Sequence, residues 1–158
     1  KYAKSVSVSG ISCLLIGGYT VQVTAKNEAG LFSSVMNSPL FVRNTANVPP
    51  VVTGTSLPDS VVRPVSGSIP LTISINVTDA DGICDIKEVY FGAYRPNGNF
   101  IGVNPMTYLS NNEWSFTNVV TPSSADSSYG YFRYHFFARD RSNVESVGVW
   151  DSIKFVRP

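Results

Sequence analysis

The sequence predicts an all-β chain built of two-sheet sandwiches. Apolar and polar residues alternate in short runs, most cleanly as Leu71, Ile73, Ile75 and Val77 against Thr72, Ser74, Asn76 and Thr78. A period of two marks a strand with one buried face. Turn-forming residues recur about every 8–12 positions, the spacing of short antiparallel strands. No stretch of about 11 residues keeps the three-and-four spacing of an amphipathic helix.

Taken in order, 5–12 alternate and Gly17-Gly18 ends the run. Tyr19, Val21, Val23 and Ala25 alternate with Thr20, Gln22, Thr24 and Lys26, which predicts a half-buried strand over 19–26. Asn27–Gly30 is turn chemistry, and 31–43 reads as a strand interrupted by Pro39. Asn44–Pro50 is polar and then proline-stiffened, as linkers are. Pro58 and Pro64 restrict 51–66 to an edge strand, because proline donates nothing to a ladder. Strand 71–78 ends at Asp79-Ala80-Asp81-Gly82. Strand 85–95 buries Val89, Phe91 and Ala93, and Pro96–Asn99 is hairpin chemistry. Segments 105–110 and 113–120 form a hairpin around Ser110-Asn111-Asn112, with Trp114 and Phe116 inward. A loop at 121–128 precedes strand 131–139, which buries Phe132, Tyr134, Phe136 and Ala138. Strand 146–156, with Ile153 and Phe155 inward, closes the sheet.

One stretch recurs. GYTVQVTAKNEAGLFSS at 18–34 lies on YFRYHFFARDRSNVESV at 131–147 with a constant offset of 113. Tyr19 falls on Phe132, Val21 on Tyr134, Val23 on Phe136, Ala25 on Ala138, Asn27 on Asp140 and Ser33 on Ser146. Recurrence at domain spacing predicts tandem domains of one type. The expected division is an incomplete sandwich at 1–45, a linker at 46–50 and a complete sandwich at 51–158.

The pattern Tyr-x-Val-x-Val-x-Ala-x-Asn-x-x-Gly at 19–30 resembles the sixth and seventh strands of fibronectin type III and related immunoglobulin-like domains. Phe132–Asn143 resembles the same region, with Phe for the usual Tyr and Asn143 for Gly. The Cys…Trp…Cys pattern of antibody-type domains is absent. The resemblance implies a module of a long extracellular, bacterial-type surface protein or secreted enzyme.

The 158 residues carry a net charge of +1, 15% charged residues and 43% hydrophobic residues. No basic block offers a footprint for nucleic acid, and no apolar run is long enough to insert in a membrane. Cys13 and Cys84 fall one in each repeat unit and read as free, packed thiols, since small buried cysteines are common; the alternative is an interdomain disulfide, which geometry restricts tightly.

Three groups of residues are candidates for chemistry. Asp79 and Asp81, with Asp85 just beyond, share an end of the expected sandwich with Asp140 and Asn143. Calcium takes six to eight oxygens, several from carboxylates, so Asp79, Asp81, Asp140 and Asn143 form a candidate calcium site. The plain alternative is that Asp and Asn cap their own turns. Tyr90, Tyr94, Arg133, His135 and Phe137 share an outward face and form a candidate binding face, the plain alternative being cross-strand stabilisation. His135 is the sole histidine, and no Gly-x-Ser-x-Gly elbow accompanies it. No enzyme is therefore expected and no resident cofactor, calcium aside. The working reading is a non-catalytic extracellular structural or adhesive module, a spacer or subunit of a surface assembly, with neighbouring domains or identical subunits as partners. The alternative is a glycan- or protein-binding appendage. A clustered, exposed aromatic platform would favour the appendage.

Overall fold

A computed structural model describes residues 13, 17–43 and 45–158. The chain divides into two compact units between Asn47 and Val48. The stretch predicted to alternate at 5–12 lies outside the described residues.

In the first unit, β1 (Gly17–Val23) pairs antiparallel with β2 (Met36–Val42). Pro39 sits opposite Thr20 within this two-stranded ribbon, where β2 lacks an outer neighbour among the described residues. The expected inner face is open: Tyr19, Val21 and Val23 are 40–48% exposed.

The second unit comprises nine strands in two sheets. They are β3 (Val51–Ser56), β4 (Ser60–Val62), β5 (Ile69–Thr78), β6 (Ile86–Tyr94), β7 (Phe100–Pro105), β8 (Thr107–Ser110), β9 (Glu113–Val120), β10 (Gly130–Asp140) and β11 (Val149–Val156). One sheet has the order β3-β5-β9-β8, the other β4-β11-β10-β6-β7. All neighbours are antiparallel except β4 and β11. This order is that of an immunoglobulin-like sandwich, with three central strands of one sheet flanked by an extra edge strand. The first edge stretch changes sheets at Leu57–Asp59, so each half serves as an edge strand, where the neighbouring prolines do no harm.

Alternation decides the core. Ile73, Ile75 and Val77 of β5 face Val89, Phe91 and Ala93 of β6, Phe132, Tyr134, Phe136 and Ala138 of β10, and Ile153 and Phe155 of β11 in one buried cluster. Trp114, Phe116 and Leu71 pack on its margin. Asn111 and Asn112 both take positive φ, 49° and 67°, the conformation of a tight two-residue hairpin.

Strand β7 was not expected. It runs along the outer edge of its sheet, with Gly102 and Asn104 half-buried and the apolar Ile101 and Val103 exposed. Its burial therefore alternates without a matching alternation of apolar side chains. The cysteine expectation is corrected: Cys13 and Cys84 are both disulfide-bonded, and neither is a free thiol. Counting one cysteine per repeat unit says nothing about which sulfurs fold within bonding range.

Candidate functional site

The Asp79–Asp85 turn is built to gather carboxylates. Asp79 Oδ1 accepts the Asp81 N–H at 2.8 Å, which bends the chain back on itself. Gly82, at φ 104°, lets the backbone continue into a short 3-10 turn at Ile83–Asp85. Its N–H donates to the Asp79 carbonyl at 3.1 Å, and the Asp85 N–H to the Gly82 carbonyl at 2.9 Å. As a result Asp79, Asp81 and Asp85 each bring a carboxylate oxygen within 4.8 Å of the others. Asp81 Oδ2 also accepts the Val48 N–H at 2.8 Å, tying the entry of the unit to this turn.

Asp85 is fully buried, yet neither carboxylate oxygen has a hydrogen-bond partner; Asp79 Oδ2 is likewise buried and unbonded. Burial, then the negative charges of Asp79, Asp140 and Asp81, push the Asp85 carboxyl above the usual range, with Arg141 opposing. Burial also raises Asp79, against the pull of its bond from Asp81 and with help from the charges of Asp81 and Asp140. Asp140 is fully buried at the end of β10, and its Oδ1 accepts the Val144 N–H at 2.8 Å. Asn143 holds φ 64°, and its amide oxygen accepts from Lys87 Nζ at 2.7 Å, so that oxygen is already engaged. Of the four expected calcium ligands, three are therefore electrostatically coupled. Asp85, which the turn reading passed over, is the deepest carboxylate.

The five candidate face residues also come together. Arg133 stands opposite Tyr94, and Phe137 opposite Tyr90, across β10 and β6. Tyr90 stacks on Phe137 at 5.6 Å, and His135 meets Phe137 edge-on at 4.0 Å. Trp150 and Phe100, which the sequence reading left out, complete the band. Trp150 lies parallel to His135 at 4.0 Å and contacts Tyr94 at 5.2 Å, and Tyr94 meets Phe100 at 5.3 Å. The Arg133 guanidinium lies 5.2 Å from the Trp150 ring centre, a cation–π distance. Trp150 is 49% and Phe100 56% exposed. At one end Tyr90 donates to Glu145, while Arg139 bridges Glu145 and Glu88.

A cleft of about 280 Å³ opens between the sheets, lined by Ile73, Phe91, Phe116, Tyr134 and Phe155 with Arg63 at its side. No carboxylate, histidine, serine or cysteine is among its lining residues. Burial pushes the Tyr134 phenol up to about 12, so at neutral pH it is protonated and a poor base. His135 sits on the other face, in the aromatic band.

The sequence matches no protein-family model and no curated protein. Among solved structures it is similar to the CbhA fibronectin(III)-like modules of Clostridium thermocellum, at 21% identity over 90% of this chain and 64% of that one, TM-score 0.45. It is also similar to the PKD domain of an M14-like peptidase from a Thermoplasmatales archaeon, at 16% identity over 69% and 97%, TM-score 0.43. A third is the SrpA adhesin of Streptococcus sanguinis, at 17% identity over 73% and 61%, TM-score 0.40. The chain thus spans less than two thirds of the first and third of these structures. The strand order above, and not these likenesses, establishes the immunoglobulin-like fold. No helix among the described residues is long and apolar enough to cross a membrane.

Proposed function

We propose that the chain is a run of consecutive immunoglobulin-like modules serving as a non-catalytic, load-bearing spacer of an extracellular surface protein. One observation carries this: the hairpin of the first unit repeats the last hairpin of the second, bond for bond, at an offset of 113. Val23 pairs with Met36 as Phe136 pairs with Val149, and Tyr19 with Leu40 as Phe132 with Ile153. The isolated bridge Lys26–Phe32 corresponds to Arg139–Glu145. The Ser33 N–H donates to the Ala25 carbonyl as Ser146 does to Ala138, both at 2.8 Å. Gly30 and Asn143 supply the positive φ in the two turns. On this reading β1 and β2 are the last strands of a preceding sandwich, whose other strands cover Tyr19, Val21 and Val23.

The second unit is also arranged to bear load. Its first-half strand β4 and its last strand β11 are parallel neighbours, Ser60 to Lys154 through Val62 to Val156. A pull on the two ends of the unit shears all of these bonds together instead of opening them one by one. Single-molecule pulling on the two ends of the second unit, with Cys84 reduced, should give one cooperative rupture. About 110 released residues at about 3.4 Å each correspond to a gain of about 37 nm. Gradual opening at the low force of an unzipping hairpin would refute the load-bearing role.

A second reading, a glycan- or protein-binding appendage, is favoured by the exposed band around Trp150, Phe100 and Arg133. Aromatic rings with arginine are enriched at recognition surfaces. Oligosaccharide titrations read in tryptophan emission decide its glycan form: a response lost in Trp150→Phe supports it, and a response retained there removes it.

A further inference from the structure

We propose that the second unit binds a calcium ion through Asp79, Asp81 and Asp85. The proposal is independent of the spacer reading and rests on two observations. The first is convergence: oxygens of Asp79, Asp81 and Asp85 lie within 4.8 Å of one another. The second is Asp85 itself, fully buried with both oxygens unbonded and one of them in that cluster. A buried carboxylate costs several kcal/mol unless a charge or hydrogen bonds compensate it, on the order of a whole domain's margin.

Turn capping, the plain explanation of such residues, accounts for part of this set. It uses Asp79 Oδ1 and Asp81 Oδ2. It leaves Asp79 Oδ2 and both oxygens of Asp85 unused. Those are the atoms that a hard cation takes. The donors are all oxygen, which selects calcium-type ions over zinc or copper. Cys84, adjacent to Asp85, is disulfide-bonded and offers no thiolate.

The site differs from the sequence expectation: Asp85 joins Asp79 and Asp81, while Asn143 Oδ1 accepts from Lys87 Nζ and Asp140 Oδ1 from the Val144 N–H. Binding would fix Asp81, and through its bond to the Val48 N–H the entry of the unit.

Calcium titration of the chain, followed by calorimetry and by thermal melting after chelation, tests the proposal. Extracellular calcium modules bind at about 10⁻⁴–10⁻³ M. At about 10 mM calcium the melting temperature should rise by about 5 °C. Asp85→Asn should melt higher than the parent in chelator, because it removes a buried unpaired charge, and should lose the calcium response. Asp81→Asn keeps an acceptor for Val48 and so keeps the fold if Asp85→Asn does not fold; its response should fall at least tenfold in affinity. A parent melting temperature that calcium leaves unmoved, or a shift of equal size in the variants, overturns the proposal.

Discussion

His135 shows how a residue's neighbours change its chemistry. Alternation places it on the outward face of β10, but it is far from bare. Trp150 lies flat against its ring and Phe137 meets it edge-on, each at 4.0 Å. Gly148 passes so close that a Cβ there would lie 2.1 Å from His135 Nε2 and 2.7 Å from Phe137 Cε1, so a side chain at 148 would push both rings aside. Burial lowers the imidazole's pKa below its ordinary value. A folded-state value below the unfolded one means stability that is complete above about pH 6.5 and is lost as pH falls through the folded value. The melting temperature of the parent should therefore fall toward that of His135→Gln as pH drops from about 7 to 5. A gap between the two that stays constant over this range would show that the stack does not disfavour the charged ring. Asp85 makes the same point at the other end of β10. Its place after Gly82 was visible in the sequence, but its complete burial follows from the way the 3-10 turn folds inward.

Among the elements, the last hairpin was the most legible, because 18–34 could be read against it. Strand register, turn length and the serine that closes the turn agree, although Tyr19, Val21 and Val23 are exposed where Phe132, Tyr134 and Phe136 are buried. The closing serine has a physical role in both. Ser146 Oγ accepts the Ala138 N–H at 3.0 Å, and Ser33 Oγ accepts the Ala25 N–H at 2.9 Å. The first bond is buried, the second exposed. Ser146→Ala should then cost about 1–3 kcal/mol in urea unfolding, the penalty of an unmet buried donor. Ser33→Ala should cost well under about 1 kcal/mol, since water replaces the bond. Equal costs would mean that burial does not distinguish the two sites. Strand β7 was illegible for the opposite reason. Its half-buried positions, Gly102 and Asn104, carry no apolar side chain, while its apolar Ile101 and Val103 are exposed, and its register is set by its pairing with β6. The edge stretch 51–66 was read correctly as peripheral, but its exchange between sheets at Pro58 leaves no mark in the alternation.

For the whole molecule, the sequence by itself determined the class and most of the core. Period-two runs decide which side chains must leave water, and apolar burial at about 25 cal/mol per Å² makes that choice binding. Ile73, Ile75, Val77, Val89, Phe91, Phe132, Phe136 and Ile153 follow from it, and all are buried. Beyond the hairpin around Ser110-Asn111-Asn112, which turn chemistry predicted and β8 and β9 form, the tertiary structure decided which strands neighbour one another. Main-chain hydrogen bonds are the same for every strand pair, so local sequence says little about the parallel pairing of β4 with β11. It likewise decided that the two cysteines are oxidised, because bonding depends on how sulfurs lie in space and not on how they are spaced along the chain. It put Trp150 and Phe100 into the aromatic band through pairings with β10 and β6 that no single strand records. Above all it brought a carboxylate oxygen of Asp85 within 4.8 Å of those of Asp79 and Asp81. Alternation and turn chemistry act over a few residues and bring these carboxylates into one turn, whereas the complete burial of Asp85 depends on the sheets that pack around it.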